Sequence, residues 1–123
     1  MDAQTMLRTA VVLLAVTALG GLLMAGMRFS GRPHPPTFIT MVHGLLAASG
    51  LTLVLYVAFT AGLPGSGWLG LILLLVAVLG GLVLNLRYHW ERRELPVWLI
   101  LVHAAVAAAG LVVLAIAGWN AAG

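Results

Sequence analysis

The stretch VHGLLAASGL, from Val42 to Leu51, returns sixty positions later as VHAAVAAAGL, from Val102 to Leu111. Residue types that are rare in this chain recur at the same offset, namely the double glycines at Gly20 and Gly80, the arginines Arg32 and Arg92, and the prolines Pro36 and Pro96. Because leucine and alanine are common here, the histidine, proline and paired glycine matches are the informative ones. They predict two similar helical hairpins, each carrying one histidine at an equivalent place.

The composition is that of a membrane protein. Of the 123 residues, 63% are hydrophobic and only 7% are charged, whereas soluble domains carry about 25% charged residues. Four apolar runs, each near the ~20 residues that span a bilayer as a helix, cover approximately 7–27, 37–61, 68–86 and 97–118. We therefore predict an all-α transmembrane up-down four-helix bundle. It forms a single domain over 1–123, made of two repeat units at approximately 7–62 and 68–122.

The absence of cysteine excludes disulfides, thiolate metal sites, iron–sulfur clusters and covalent haem attachment. The basic residues are six arginines, of which five lie in or near short connections between apolar runs. Such a distribution indicates membrane anchoring and not nucleic-acid binding. No nucleotide-binding loop, flavin motif or catalytic triad is recognisable, which favours an electron carrier or structural role over an independent enzyme.

The arginines also predict the orientation of the chain. The connections after the first and third runs are rich in arginine, whereas the opposite side has Arg8 alone. Arginine-rich short loops remain in the cytoplasm. We expect a multi-pass protein of the bacterial inner membrane, with both termini outside and the Arg-rich loops cytoplasmic. The tryptophans near the ends of the runs are typical of interfacial anchors, and lipid is the expected surrounding.

The two repeated histidines lie at one depth. His43 and His103 each follow a proline by seven residues, which places both roughly 10 Å into the membrane from the Arg-rich side. Helices 2 and 4 are diagonal neighbours in an up-down bundle, so both histidines can face its centre. Their own helix faces are small, with Gly50 and Gly110 at +7, and Gly21 and Gly81 of helices 1 and 3 lie at nearly the same depth.

A flat, bulky ligand would fill a space lined with small residues. Haem b fits this description, with His43 and His103 as its two iron ligands. The glycines at 21, 81, 50 and 110 would then contact or make room for the macrocycle. We expect its propionates to face the Arg-rich side, where Arg28 and Arg87 end helices 1 and 3 and could pair with them.

The pattern of His43, His103, Gly21 and Gly81 resembles the haem-binding bundle of membrane b-type cytochromes. The cytochrome b of quinol-oxidising respiratory complexes is the nearest comparison, and the resemblance covers nearly the whole chain. That family carries a second histidine thirteen or fourteen residues further along each ligand helix, where this chain has Tyr56, Val57, Ile116 and Ala117. The resemblance therefore implies a single haem, as in the membrane anchors of succinate dehydrogenases or small stand-alone cytochromes b.

The functional expectation is one-electron transfer within or along the membrane. Quinol or a partner redox subunit is the expected electron donor or acceptor, and a quinol-linked oxidoreductase activity is one form that this function could take. The sequence does not decide between a homodimer and a subunit of a larger complex. Two alternatives are a structural or assembly subunit without a cofactor and a small-molecule transporter. The transporter lacks the buried carboxylate that cation export needs.

Two further histidines lie outside the repeat. His34 is in the connection after the first run, and His89 is at the end of the third. Both are expected on the Arg-rich side, close to the edge of the haem. Solvated surface histidines are the ordinary interpretation, and a role beside a quinone or a second cofactor is the alternative.

Overall fold

Four long helices build the protein, as a computed structural model that describes residues 1–120 shows. They are α1 (Ala3–Phe29), α2 (Thr37–Thr60), α3 (Gly67–Val83), which continues as a π-helix over Leu84–His89, and α4 (Val97–Asn120). Each is long and apolar enough to cross a bilayer, so the chain is a multi-pass membrane protein. The predicted fold class is confirmed, while the predicted end of the second repeat at 122 lies outside the described residues.

Local chemistry sets where the helices begin. The Asp2 carboxylate caps α1 by accepting a hydrogen bond from the Thr5 backbone N–H at 2.7 Å. This bond, together with one from the Thr5 side chain, lowers the pKa of Asp2. The cap explains why α1 begins four residues before the apolar run. Pro36 and Pro96 directly precede α2 and α4, where a residue without an N–H costs no helical hydrogen bond.

The helices pack as two antiparallel hairpins. Within each hairpin, α1 lies along α2 and α3 lies along α4. The hairpins meet mainly through α1 and α4, whereas α2 and α3 share a much smaller surface. Consequently α2 and α4 lie diagonally opposite each other, as predicted. We call the end that holds the connections 30–36 and 90–96 the Arg-rich end of the bundle.

The buried hydrophobic side chains form two separate clusters. The larger one lies toward the chain termini and includes Leu7, Val54 and Leu114. The smaller one, Leu84, Leu95 and Ile100, lies at the Arg-rich end. Between them α2 buries no hydrophobic side chain over 37–53 and α4 none over 101–113. The core is therefore interrupted at the depth of the repeated histidines.

Burial follows the sequence repeat. Positions related by the offset of sixty are buried together, including Leu14 with Leu74, Thr17 with Ala77 and Gly50 with Gly110. The two hairpins thus present the same faces to the interior although most of their residues differ. The structure supports parallel repeats related by an axis along the bundle.

The π-helix at the end of α3 changes this offset by one residue. The N–H groups of Gly31 and Arg32 donate to the carbonyls of Arg28 and Met27 after α1. After α3 the corresponding bonds run from the Arg92 N–H to the His89 carbonyl and from the Arg93 N–H to the Tyr88 carbonyl. Each of these residues lies sixty-one positions after its counterpart in the first hairpin. A π-helix is the usual way to accommodate one extra residue within a helix. The gapless pairing of Arg32 with Arg92 is therefore wrong, and Arg32 corresponds to Arg93.

Candidate functional site

The site centres on the imidazoles of His43 and His103. Their ring centres lie 6.4 Å apart and the ring planes are inclined by 67°. His43 comes from α2 and His103 from α4, so one ring reaches the interior from each hairpin. Both side chains are half-buried. The structure thus brings together the two histidines that the repeat predicts to be level with each other.

Both imidazoles are held by the same hydrogen bond. The His43 Nδ1–H donates to the Thr17 carbonyl at 2.9 Å, and the His103 Nδ1–H donates to the Ala77 carbonyl at 2.8 Å. A carbonyl oxygen can only accept, so Nδ1 carries the proton in each neutral ring. Nε2 is then left with an available lone pair. Histidines that ligate metals are oriented by such a bond to the second nitrogen.

The distance between the rings excludes a direct hydrogen bond. Two imidazoles that share an N–H···N bond have their ring centres about 5 Å apart, and no such bond joins His43 and His103. An ion held at about 2.0–2.1 Å by one imidazole nitrogen on each side separates the ring centres by about 6 Å. The observed 6.4 Å therefore leaves enough distance between the ring centres for an ion to lie between them.

Gly21 and Gly81 contact the histidines themselves. A Cβ added at Gly21 would lie 3.1 Å from Cε1 of His43, and one at Gly81 would lie 3.1 Å from Cε1 of His103. Each glycine thus lets the imidazole of the neighbouring helix lie against the backbone. We expected these glycines to make room for a porphyrin, whereas the contact that the structure gives them is to the imidazole ring.

Gly50 and Gly110 serve helix packing. Gly50 lies against the Leu14 side chain and the Ala10 carbonyl, and Gly110 lies against the Gly70 carbonyl and Leu74. Both glycines are two turns from their histidines and face the partner helix of their own hairpin. Neither lies beside an imidazole, and the space next to each is already filled by protein atoms. The contacts of Gly50 and Gly110 are therefore those of helix packing and not of the histidine site.

Both arginines predicted to face the propionates have protein partners. Arg28, only 16% exposed, forms an ion pair with Glu94 at 2.7 Å, and its Nε–H donates to the Leu95 carbonyl at 2.9 Å. Arg87 is exposed and pairs with Glu91, one turn further along the chain, at 3.3 Å. Arg28 thus ties α1 to the connection before α4, and neither guanidinium is directed to the histidine pair by its contacts.

A second histidine pair lies at the Arg-rich end. The rings of His34 and His89 have centres 6.4 Å apart and are inclined by 76°. His89 is buried, and the Nδ1 atoms of both rings are buried without a hydrogen-bond partner. The repeat could not reveal this pair because the two positions are not related by sixty. The available signal was that both histidines lie beside connections at the same end.

No protein-family model matches the chain, and no curated protein or solved structure is significantly similar to it. The fold and the site therefore define the class of protein. It is a four-helix multi-pass membrane protein built from two repeated hairpins, with one oriented histidine from each hairpin facing the other inside the bundle.

Proposed function

We propose that the protein binds one haem b between His43 and His103 and transfers single electrons within the membrane. The main support is the arrangement of the two imidazoles. Their ring centres lie 6.4 Å apart, and each Nδ1–H donates to a backbone carbonyl. Two oriented Nε2 lone pairs from opposite sides of a bundle suit iron with two axial histidine ligands. Nothing else within residues 1–120 presents metal-ligating groups in this oriented form.

The surroundings of the histidines suit a large, flat and mostly apolar ligand. The hydrophobic core is interrupted at their depth along α2 and α4. Residues next to each histidine on its own helix are mainly small, such as Ala47 and Ala107. The hairpins also share only a small surface between α2 and α3. A planar macrocycle lying edge-on between helices needs this combination of a missing core layer and a small-residue lining.

The protein's own groups would set the redox properties. The haem would supply iron that alternates between two oxidation states. The carbonyls of Thr17 and Ala77 hold the imidazoles in the tautomer that ligates and increase the basicity of Nε2. If His43 and His103 both ligated the iron, the haem would offer no open coordination site to a substrate. An electron carrier suits this arrangement better than an independent enzyme.

The proposal also includes the partners with which the protein exchanges electrons. A carrier buried in a bilayer exchanges electrons with quinol or with a redox subunit packed against the bundle. We place the protein in the bacterial inner membrane with the Arg-rich end in the cytoplasm, because arginine-rich short loops are retained there. A homodimer or a larger complex would cover the apolar faces that lipid otherwise surrounds.

Spectroscopy of the purified protein tests the proposal. We expect oxidised and dithionite-reduced spectra of a six-coordinate b-type haem in detergent. His43→Ala and His103→Ala should each abolish this spectrum, since either change removes an axial ligand. Ser49→Ala is the matched control, because its hydroxyl donates to the Leu45 carbonyl of its own helix and its loss should leave the six-coordinate spectrum intact. A folded, colourless protein from haem-replete cells would overturn the proposal.

A structural role for the histidines is the second candidate. Its support is that each imidazole already bonds a carbonyl across its own hairpin, which by itself would stabilise helix packing. His43→Gln separates the two roles because the glutamine amide can still donate to Thr17 but is no substitute for an imidazole ligand. A colourless wild type and unchanged stability of the variant would favour the structural role, whereas a variant that keeps its stability but loses the haem of the wild type would favour iron ligation.

A further inference from the structure

We propose that His34 and His89 bind a carboxylate, namely a propionate of the haem. The inference rests on the proposed function and names residues that neither the repeat nor the resemblance supplies. It concerns the Arg-rich end of the bundle, where a haem held by His43 and His103 would direct its polar edge. Four observations carry it: the separation of the rings, their unpaired buried nitrogens, the symmetry of the bundle and the local charge.

The rings of the second pair do not satisfy each other's hydrogen bonds. The ring centres of His34 and His89 are 6.4 Å apart, which is too far for a direct hydrogen bond between them. His89 is only 6% exposed, and the Nδ1 atoms of both rings are buried without a partner. A buried polar group left unpaired destabilises the folded protein. A carboxylate oxygen that accepted from both rings, each in its Nδ1–H tautomer, would give both nitrogens a partner.

The other hairpin shows what ordinarily fills this place. With the one-residue shift of the π-helix, Arg28 corresponds to His89. Glu94 corresponds to His34 at the ordinary offset of sixty. The Arg28–Glu94 ion pair, with its carboxylate 2.7 Å from the guanidinium, therefore has the His34–His89 pair as its symmetry mate. In the Arg28–Glu94 pair the protein supplies the carboxylate itself. The His34–His89 pair has two imidazoles at the corresponding positions and no carboxylate.

The charge at this end favours an anion over a cation. The Arg92 backbone follows His89 closely, since its N–H donates to the His89 carbonyl. Among residues 1–120 Glu91 pairs with Arg87 and Arg93, Glu94 pairs with Arg28, and no carboxylate forms an ion pair with Arg92. A metal ion between the two imidazoles would lie next to this uncompensated positive charge. A carboxylate would be attracted by it.

The depth of the second pair suits the edge of the same macrocycle. Gly81 contacts His103, and His89 lies eight residues further along the same helix, about 12 Å nearer the Arg-rich end. Arg28 and Arg87, which we first expected to hold the propionates, already have carboxylate partners. His34 and His89 lie at the same end, and their buried Nδ1 atoms have no partner.

Binding of haem and of haem dimethyl ester to the full-length apoprotein in detergent tests the inference. Esterification removes the carboxylate charge and leaves the iron ligands unaffected. Wild type should bind haem about tenfold or more tightly than the ester, the ratio expected for a charge-assisted hydrogen bond. In His34→Ala and His89→Ala this ratio should approach one, while both ligands still give six-coordinate spectra. His89→Gln, which keeps an N–H donor, should restore part of the ratio.

Arg87→Ala is the matched control, because it removes a polar group at the same end that already has a partner, and it should keep the wild-type ratio. A wild type that binds haem and ester equally, or histidine variants that keep the full ratio, would overturn this inference and leave the proposed function standing. A wild type that gives no six-coordinate spectrum with either ligand would overturn the proposed function itself.

Discussion

At the scale of single residues, the tautomer of the imidazoles decides the chemistry. Each histidine of the central pair gives its Nδ1 proton to a carbonyl of the helix it packs against, so the lone pair of Nε2 is left for another partner. The bond crosses the hairpin to the same register in both halves, Thr17 in one and Ala77 in the other. A backbone acceptor makes this orientation independent of the side chain at that register.

We predict that Gly21→Ala weakens the central site. The added methyl would lie 3.1 Å from Cε1 of His43, closer than ordinary contact, so the ring must move. Its bond to Thr17 should lengthen and the fraction of protein holding six-coordinate haem should fall. Gly26→Ala is the control because nothing lies within 4 Å of its added Cβ. Absorbance per mole of protein measures occupancy, and ¹⁵N NMR of the imidazole measures the bond.

A larger side chain at the same position extends this test. Gly21→Leu should lower occupancy further while the bundle still inserts into the membrane. Equal occupancy in wild type, Gly21→Ala and Gly21→Leu would mean that the glycine serves helix packing alone.

The histidine pair could be predicted from sequence, whereas the roles of its neighbours could not. The repeat places His43 and His103 at one depth, and an up-down bundle then lets them face each other. Depth does not give the direction in which a small residue points around its helix. For that reason Gly21 and Gly50 look equivalent in sequence, although one contacts an imidazole and the other contacts Leu14.

At the scale of helices, close packing within each hairpin depends on glycine. A Cβ at Gly70 would lie 2.9 Å from the Leu114 backbone nitrogen and 3.1 Å from the Gly110 carbonyl. Backbone atoms cannot move aside as the end of a flexible side chain can. Glycine at these crossings lets α3 and α4 approach more closely than any larger residue would allow.

We predict that Gly70→Ala separates α3 from α4 and destabilises the bundle by about 1–3 kcal/mol, the usual cost of overpacking. Gly44→Ala, on an exposed face with nothing within 4 Å, should be neutral or slightly stabilising because alanine favours helix. Denaturation in mixed detergent micelles, followed by circular dichroism, compares the free energies of unfolding. If the two variants unfold alike, the close approach at Gly70 contributes nothing to stability.

The π-helix predicts an asymmetric tolerance to deletion. Because Leu84–His89 accommodates one extra residue, removing the exposed Leu86 should convert it to α-helix and leave the following connection in place. Removing the equally exposed Leu22 from α1, which has no such segment, should rotate Arg28 away from Glu94. The expression level and the stability in detergent are compared between the two deletion variants. A Leu86 deletion that is less stable than the Leu22 deletion would contradict this account.

At the scale of the whole molecule, the fold was predictable because one physical signal dominates. Four apolar runs of membrane-spanning length and a repeat of sixty residues leave few arrangements other than two parallel hairpins. The insertion in α3 was hidden because its residues, Asn85 and Leu86 among them, have no unusual helix chemistry. The correspondence between the second histidine pair and the Arg28–Glu94 ion pair depends on that insertion and so was hidden with it. The hydrogen bonds after α1 and α3 reveal the shifted register.

Orientation in the membrane is the remaining global property, and the lack of cysteine makes it testable. Ser30→Cys places a thiol at the Arg-rich end, and Ser66→Cys places one in the connection between α2 and α3 at the other end. In intact spheroplasts a membrane-impermeant maleimide should label position 66 and reach position 30 only after permeabilisation, since arginine-rich loops remain in the cytoplasm. The cysteine-free wild type supplies the background. Labelling of position 30 alone in intact spheroplasts would reverse the assigned topology and would put the His34–His89 pair on the outer side of the membrane.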